Sequence, residues 1–149
     1  MNDKSKRMIL DKYTKLHRVW RWLPAITWML VIFLLSARTG HEIDQALPFF
    51  QRFFPWITDF NWGHYLSYFI LAATFDFAFG RFSRTIWGKI LIVVLCGFYG
   101  VTDEWHQSFI GGRMMDWLDL RNDVIGAIWW VVIISFPFIQ KYWTKMTNY

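Results

Sequence analysis

Cysteine is almost absent from this chain: Cys96 is the single one among 149 residues, which excludes an intrachain disulfide and argues against a cysteine-ligated metal. Set inside an apolar run, Cys96 is expected to act as a small buried apolar residue. Catalytic signatures are missing as well. No nucleophile elbow, phosphate-binding P-loop or HExxH zinc motif occurs, so the chemistries that depend on them have no basis here. The chain also lacks an internal repeat and a low-complexity linker, and its length suits one domain. The stretches Leu91 to Leu95 and Trp129 to Ile134 are apolar. A transport path needs polar steps across the bilayer, so a channel or transporter is disfavoured.

What the chain does have is apolar surface. Its 55% hydrophobic and 21% aromatic content, with a positive mean hydropathy, departs from soluble averages and points to a membrane protein. Four apolar runs support this: Trp22 to Ala37, Trp62 to Phe79, Ile86 to Val101 and Val124 to Ile139. Each is slightly shorter than the roughly 20 residues that span a typical hydrocarbon core, so their polar ends are expected to dip into it or the bilayer to thin. Tryptophans gather near the run ends, as interfacial belts do, whereas Trp28, Trp129 and Trp130 fall inside and read as packing residues. The first run is read as a retained span: it is longer than a usual signal core, and Arg38 abuts the Ser36-Ala37 cleavage candidate.

The formal net charge is +5. Basic residues crowd before the first run, between the second and third (Arg81, Arg84, Lys89) and after the fourth (Lys141, Lys145). The positive-inside bias then puts both termini and the middle loop in the cytoplasm, and it accounts for the charge without a nucleic-acid partner. The expected organisation is a basic cytoplasmic leader over 1–21, a membrane domain over 22–139 and a short cytoplasmic tail over 140–149. The fold expected is all-α: an integral membrane four-helix bundle with an interfacial amphipathic helix between the first two spans. Phe49, Phe50, Phe53, Phe54 and Trp56 form that helix's aromatic stripe, starting near Pro48 and ended by Pro55. It serves as an aromatic anchor or as a lateral gate for lipid.

Polar groups converge on the outer side of this topology. His64 opens the second span with Tyr68 one turn deeper; Glu104 closes the third with Gln107 and Ser108 beside it. Arg113 follows a Gly-Gly pair, and Asp116, Asp119 and Asp123 recur at i, i+3 and i+7 along the fourth helix. Charges this close to hydrocarbon usually serve a task, so the expected site is a cup of His64, Tyr68, Glu104, Gln107, Arg113, Asp116, Asp119 and Asp123. Arg113 suits a carboxylate or phosphate, and the glycines admit backbone N–H groups to an anionic ligand. Plainer roles compete: Asp116 as an N-cap with Asp119 at N3, His64 bonded to a carbonyl, and Glu104 with Arg113 as a structural ion pair. Asp76 is expected near Arg81 or Arg84, and Gly97, Gly100 and Gly126 at close helix contacts.

These residues resemble the VanZ-like family of small bacterial membrane proteins, named for a teicoplanin-resistance protein. The resemblance rests on Phe33-Leu34-Leu35-Ser36, on His64-x-x-x-Tyr68-x-x-Leu71, on Tyr99-Gly100-x-x-Asp103-Glu104-x-His106-Gln107, and on Gly112-Arg113 with Asp119, Asp123 and Gly126. It covers Phe33 to Gly126. Two positions depart from the family's pattern: Asn61 stands where members often carry lysine, and Asp116 where a small polar residue is usual. The resemblance implies a multi-pass protein of the bacterial cell membrane, in some members linked to glycopeptide resistance, with no established reaction.

Function is therefore read first as binding of a lipid headgroup, a lipid-linked cell-wall precursor or another membrane protein, with membrane lipids as the first partners. The alternative is a membrane enzyme acting on a lipid phosphate or ester, with His64, Glu104 and Asp119 as acid and base candidates and Arg113 steadying an oxyanion. Neither reading requires a cofactor or metal. Glu104, Asp116 and Asp119 form the hard-cation set weighed beside the enzyme, from which His106 would point away.

Overall fold

Among the described residues every regular element is helical, and no strand occurs. The computed structural model describes residues 19–55 and 59–147, without the side chains of Ile43 and Asp44. The expected basic leader lies, up to Arg18, outside the described residues, and so does Trp56 of the aromatic stripe. Helix α1 (Leu23–Ser36) leads to α2 (Gly40–Gln51), α3 (Asn61–Phe79), a 3-10 turn (Gly80–Arg84), α4 (Ile86–Gln107), α5 (Trp117–Ser135) and α6 (Pro137–Thr147).

Local chemistry sets these bounds. Pro24 stands in the first turn of α1, where its missing N–H leaves no bond unmade. Thr39 caps α2 by accepting from the Glu42 N–H, while the Glu42 carboxylate takes the Thr39 N–H at 2.9 Å, a reciprocal capping box. Those bonds also hold the exposed Glu42 carboxyl below its usual range. The helix therefore begins well before Pro48, which sits inside it, and ends at Gln51 before Pro55 is reached. This corrects both expected ends of the aromatic helix. Thr85 caps α4 through the Gly88 N–H at 3.0 Å, and α4 runs past Val101 to take in Asp103, Glu104 and Gln107.

The fourth apolar run is divided. Pro137 disfavours helical backbone at the residue before it, so Phe136 is extended (φ −68°, ψ 126°) and α5 stops at Ser135. α6 then departs at 93° to α5. The expected span Val124 to Ile139 thus straddles a break, and the expected tail from residue 140 belongs to a helix begun at Pro137. By length and composition α4 alone could cross a membrane; α1 with α2, and α5 with α6, qualify only as pairs, bent by 95° and 93°. Membrane character is thus carried most directly by α4.

The core lies where α3, α4 and α5 meet, with α1 laid against it. Tyr68, Leu71, Ala72 and Phe75 of α3 face Ile92 and Cys96 of α4 and Ala127, Trp130 and Ile134 of α5. Small residues let the backbones approach: the carbonyl of Tyr65 occupies the place where a Cβ on Gly126 would stand. Polar atoms inside this apolar mass take backbone acceptors, Trp28 Nε1 donating to Ser67 O at 2.8 Å and the Tyr99 hydroxyl to Met29 O at 2.6 Å. At one end of the bundle Arg21 closes the last turn of α3 by donating to Phe77 O at 2.6 and 2.8 Å. Nearby, Asp76 accepts from Ser83 Oγ at 3.1 Å and Trp143 Nε1 at 3.0 Å, which ties α6 to α3.

Candidate functional site

The other end of the bundle collects the start of α3, the end of α4 and the start of α5. His64, in the first turns of α3, faces α5: its Nδ1 lies 2.9 Å from Asp123 Oδ1 and its Nε2 3.6 Å from Asp119 Oδ2. A carboxylate only accepts, so Nδ1 donates to Asp123, and the imidazole is oriented with Nε2 toward Asp119. This side-chain partner replaces the backbone carbonyl considered for His64. Asp123 is wholly buried, and its second oxygen, Oδ2, has no hydrogen-bond partner. That oxygen rests against Gly100 of α4, where an added Cβ would come within 2.8 Å of it.

Glu104 lies one turn beyond Gly100 on the same face of α4. It too is wholly buried, yet Arg113 is not its partner: Glu104 Oε2 accepts the backbone N–H of Asp116 at 2.8 Å, and Oε1 is unpartnered. The expected ion pair is therefore replaced by a helix-terminus contact. Asp116 precedes the helix proper, in extended backbone (φ −121°, ψ 119°), so its exposed side chain turns back to cap α5 through the Leu118 N–H at 2.7 Å. It caps the N2 amide, and it brings its backbone amide rather than its carboxylate to the cluster. This separates Asp116 from the carboxylates with which the helical stripe had grouped it, and the Glu104, Asp116 and Asp119 set is not assembled.

Tyr68, one turn deeper than His64, is 1% exposed and its hydroxyl has no partner. Asp103 is a third buried carboxylate at this end, and its Oδ2 accepts from Gln107 Nε2 at 3.1 Å; the same amide reaches Ser36 Oγ of α1 at 3.5 Å. Gln107 thus faces Asp103 and α1. Arg113 is half-buried in the loop after Gly112, whose φ of +77° is the left-handed backbone glycine accepts readily. Its guanidinium makes no hydrogen bond or ion pair among the described residues. His106 turns elsewhere, stacking on Phe33 of α1 with centroids 4.2 Å apart.

The structure thus brings His64, Glu104, Asp119 and Asp123 together, with Tyr68 beneath, Arg113 in the adjoining loop and Gln107 on the α1 side. Ligand-capable atoms of His64, Glu104 and Asp123 all lie within 4.8 Å of one another. Sequence reasoning omitted Asp103 and Asn122 from the site. Buried Asn122 accepts from the Tyr65 hydroxyl at 2.6 Å and joins α3 to α5 beside the cluster. Asp103 and Ser36 do stand within the quoted family pieces, which was the available signal for them. Chemically, an Asp-oriented imidazole with buried carboxylates is suited to accept protons or hold a cation, and a free guanidinium is suited to an anion.

Comparison with known proteins gives one finding: the VanZ/LLP1 family model matches residues 21–140. No curated protein and no solved structure matches the chain.

Proposed function

Because this chain belongs to the VanZ/LLP1 family, we propose that it is a multi-pass protein of the bacterial cell membrane whose polar cluster binds a phosphate-bearing lipid headgroup, including that of a lipid-linked cell-wall precursor. The observation that carries this reading is the half-buried Arg113, free of any carboxylate partner, in the loop that joins the helices bearing Glu104, Asp119 and Asp123. A guanidinium without a partner at a lipid boundary is suited to a phosphate fork.

The outer surface supports the membrane setting. Leu23, Ile26, Leu30 and Leu34 on α1, Ile90, Val94 and Phe98 on α4, and Ile128 and Val132 on α5 are all exposed. Apolar faces of that extent suit hydrocarbon and not water. In this reading α1, α3, α4 and α5 span a locally thinned bilayer, α2 lies in the outer interface, and both termini are cytoplasmic. The cluster then opens outward, where wall precursors are found, and a contribution to glycopeptide (teicoplanin) tolerance is the expected phenotype.

Mass spectrometry of lipids co-purified with the protein tests this. Wild type is expected to retain one headgroup class, and Arg113→Ala and Asp119→Asn to lose it. Identical lipid profiles in all three proteins would end the proposal.

The 2.9 Å His64–Asp123 bond favours a second reading, a hydrolase or transferase acting on a lipid phosphate or ester with His64 as general base. Multiple turnover on a purified lipid, abolished by His64→Gln, would select it over binding alone.

A further inference from the structure

We propose that His64, Glu104 and Asp123 form a binding site for one divalent first-row transition-metal ion, of the manganese, iron or zinc kind. Three helices each supply a ligand: α3 an imidazole nitrogen, α4 and α5 a carboxylate oxygen, and these atoms lie within 4.8 Å of one another, the ion taking the place of the Nδ1 proton that His64 otherwise donates to Asp123. Bonds of about 2.0–2.2 Å put neighbouring ligand atoms of a tetrahedral shell about 3.5 Å apart, so the side chains close by roughly an ångström around the ion. One nitrogen with two carboxylate oxygens suits these ions better than calcium or magnesium, which favour all-oxygen shells.

Charge and burial argue for an occupant. Glu104 and Asp123 are both 0% exposed and each keeps one oxygen unpartnered. Asp119 adds a third carboxylate 3.6 Å from His64 Nε2, and among the described residues no Lys or Arg forms an ion pair with any of the three. Buried carboxylates facing one another repel unless protons or a cation neutralise them. Independent of the carboxylates, the 1%-exposed Tyr68, one turn deeper than His64 on the same face of α3, brings a buried hydroxyl that has no partner. That is an unsatisfied donor where a metal-bound water would accept.

The surroundings also hold the ligands in place. The Asp116 N–H fixes one Glu104 oxygen at 2.8 Å and leaves the other free, as an outer-shell bond does for a ligating carboxylate. Gly100 gives Asp123 Oδ2 room on the face of α4 that carries Glu104. The ion's role in bridging to a headgroup phosphate rests on the function proposed above; its binding does not.

The test uses full-length protein in detergent, stripped with chelator and titrated with Co²⁺ alone, with elemental analysis for stoichiometry. Wild type is expected to take up one Co²⁺, displaced by Zn²⁺, with an absorption spectrum of mixed nitrogen and oxygen ligation. Glu104→Gln and Asp123→Asn are each expected to weaken binding by about 10-fold or more, whereas Asp76→Asn, at the opposite end, leaves it unchanged. Should those variants fail to fold, a triple variant lacking His17, His41 and His106 retains only His64, and the imidazole signature must persist in it. No uptake by wild type, loss of the signature in the triple variant, or unchanged affinity in both carboxylate variants overturns the site. Lipid retained after chelation with no metal uptake would sink the cation and spare the headgroup reading. Metal bound with no lipid in any sample would do the reverse.

Discussion

Gly126 has no side chain because the backbone carbonyl of Tyr65 fills the space a Cβ would need. Backbone cannot swing aside as a side-chain tip can, so Gly126→Ala must push α3 and α5 apart at their closest crossing. We expect it to destabilise the protein by about 1–3 kcal/mol. Gly63, with nothing within 4 Å of its added Cβ, is the control, and Gly63→Ala should be neutral or slightly stabilising. Thermal unfolding in detergent separates the two, and equal midpoints would contradict the packing argument. The glycine contacts and the gathering of His64, Glu104, Asp119 and Asp123 were legible in the sequence, since helical spacing fixes which residues share a face. Asp116 was legible as the N-cap of α5 and not as a member of the cup, and Asp103 was not legible from the helical pattern. Asp116 fits the i, i+3, i+7 stripe but stands before the helix begins, where dihedral angles and not helical period aim its side chain. Asp103 neighbours Glu104 and leaves α4 in another direction; it is buried because α1 packs there, and one helix's pattern cannot announce a third helix.

Helix bounds were legible where a cap or a composition change coincided with the apolar run, as for α1 and α3, and obscured where proline misled. Pro48 was read as a start and lies in a helix interior, because the Thr39–Glu42 box had already nucleated the helix. Pro137 lay hidden in an apolar stretch that hydropathy joins without a seam, although its effect on Phe136 is purely local. The break makes α6 an element that must be pinned by its own contacts. Trp143 does this, its Nε1 donating to the buried Asp76 at 3.0 Å and its ring meeting Trp130 edge-on with centroids 5.0 Å apart. Trp143→Phe keeps an aromatic ring and removes the donor, and withdrawing a donor from a buried acceptor costs about 1–3 kcal/mol. The expected result is faster proteolysis within α6 while cleavage of the α2–α3 connection is unchanged. Unaltered α6 cleavage would mean that the ring alone holds the helix.

At the scale of the whole molecule the two ends of the bundle differ in sign. Arg21, Arg81, Arg84 and Lys89 lie at one end, where Arg84 Nη2 donates to Thr144 of α6 at 2.8 Å and Lys89 Nζ to Ser135 at 2.7 Å. The buried carboxylates Asp103, Glu104 and Asp123 occupy the other end. Positive charge is retained on the cytoplasmic side of a membrane, so the basic end should face the cell interior and the cluster the exterior. Cys96 is fully buried, which keeps background reaction with thiol reagents low. Met114, 85% exposed in the loop beside Arg113, and the exposed Thr85 at the basic end are therefore suitable single positions for introduced thiols. In intact cells Met114→Cys should react with an impermeant maleimide, and Thr85→Cys only after the membrane is opened. The reverse pattern would put the carboxylate cluster in the cytoplasm, where it could not meet an outer-leaflet headgroup, while leaving the cation site physically possible. Sidedness thus governs the headgroup reading, and the metal titration does not depend on it.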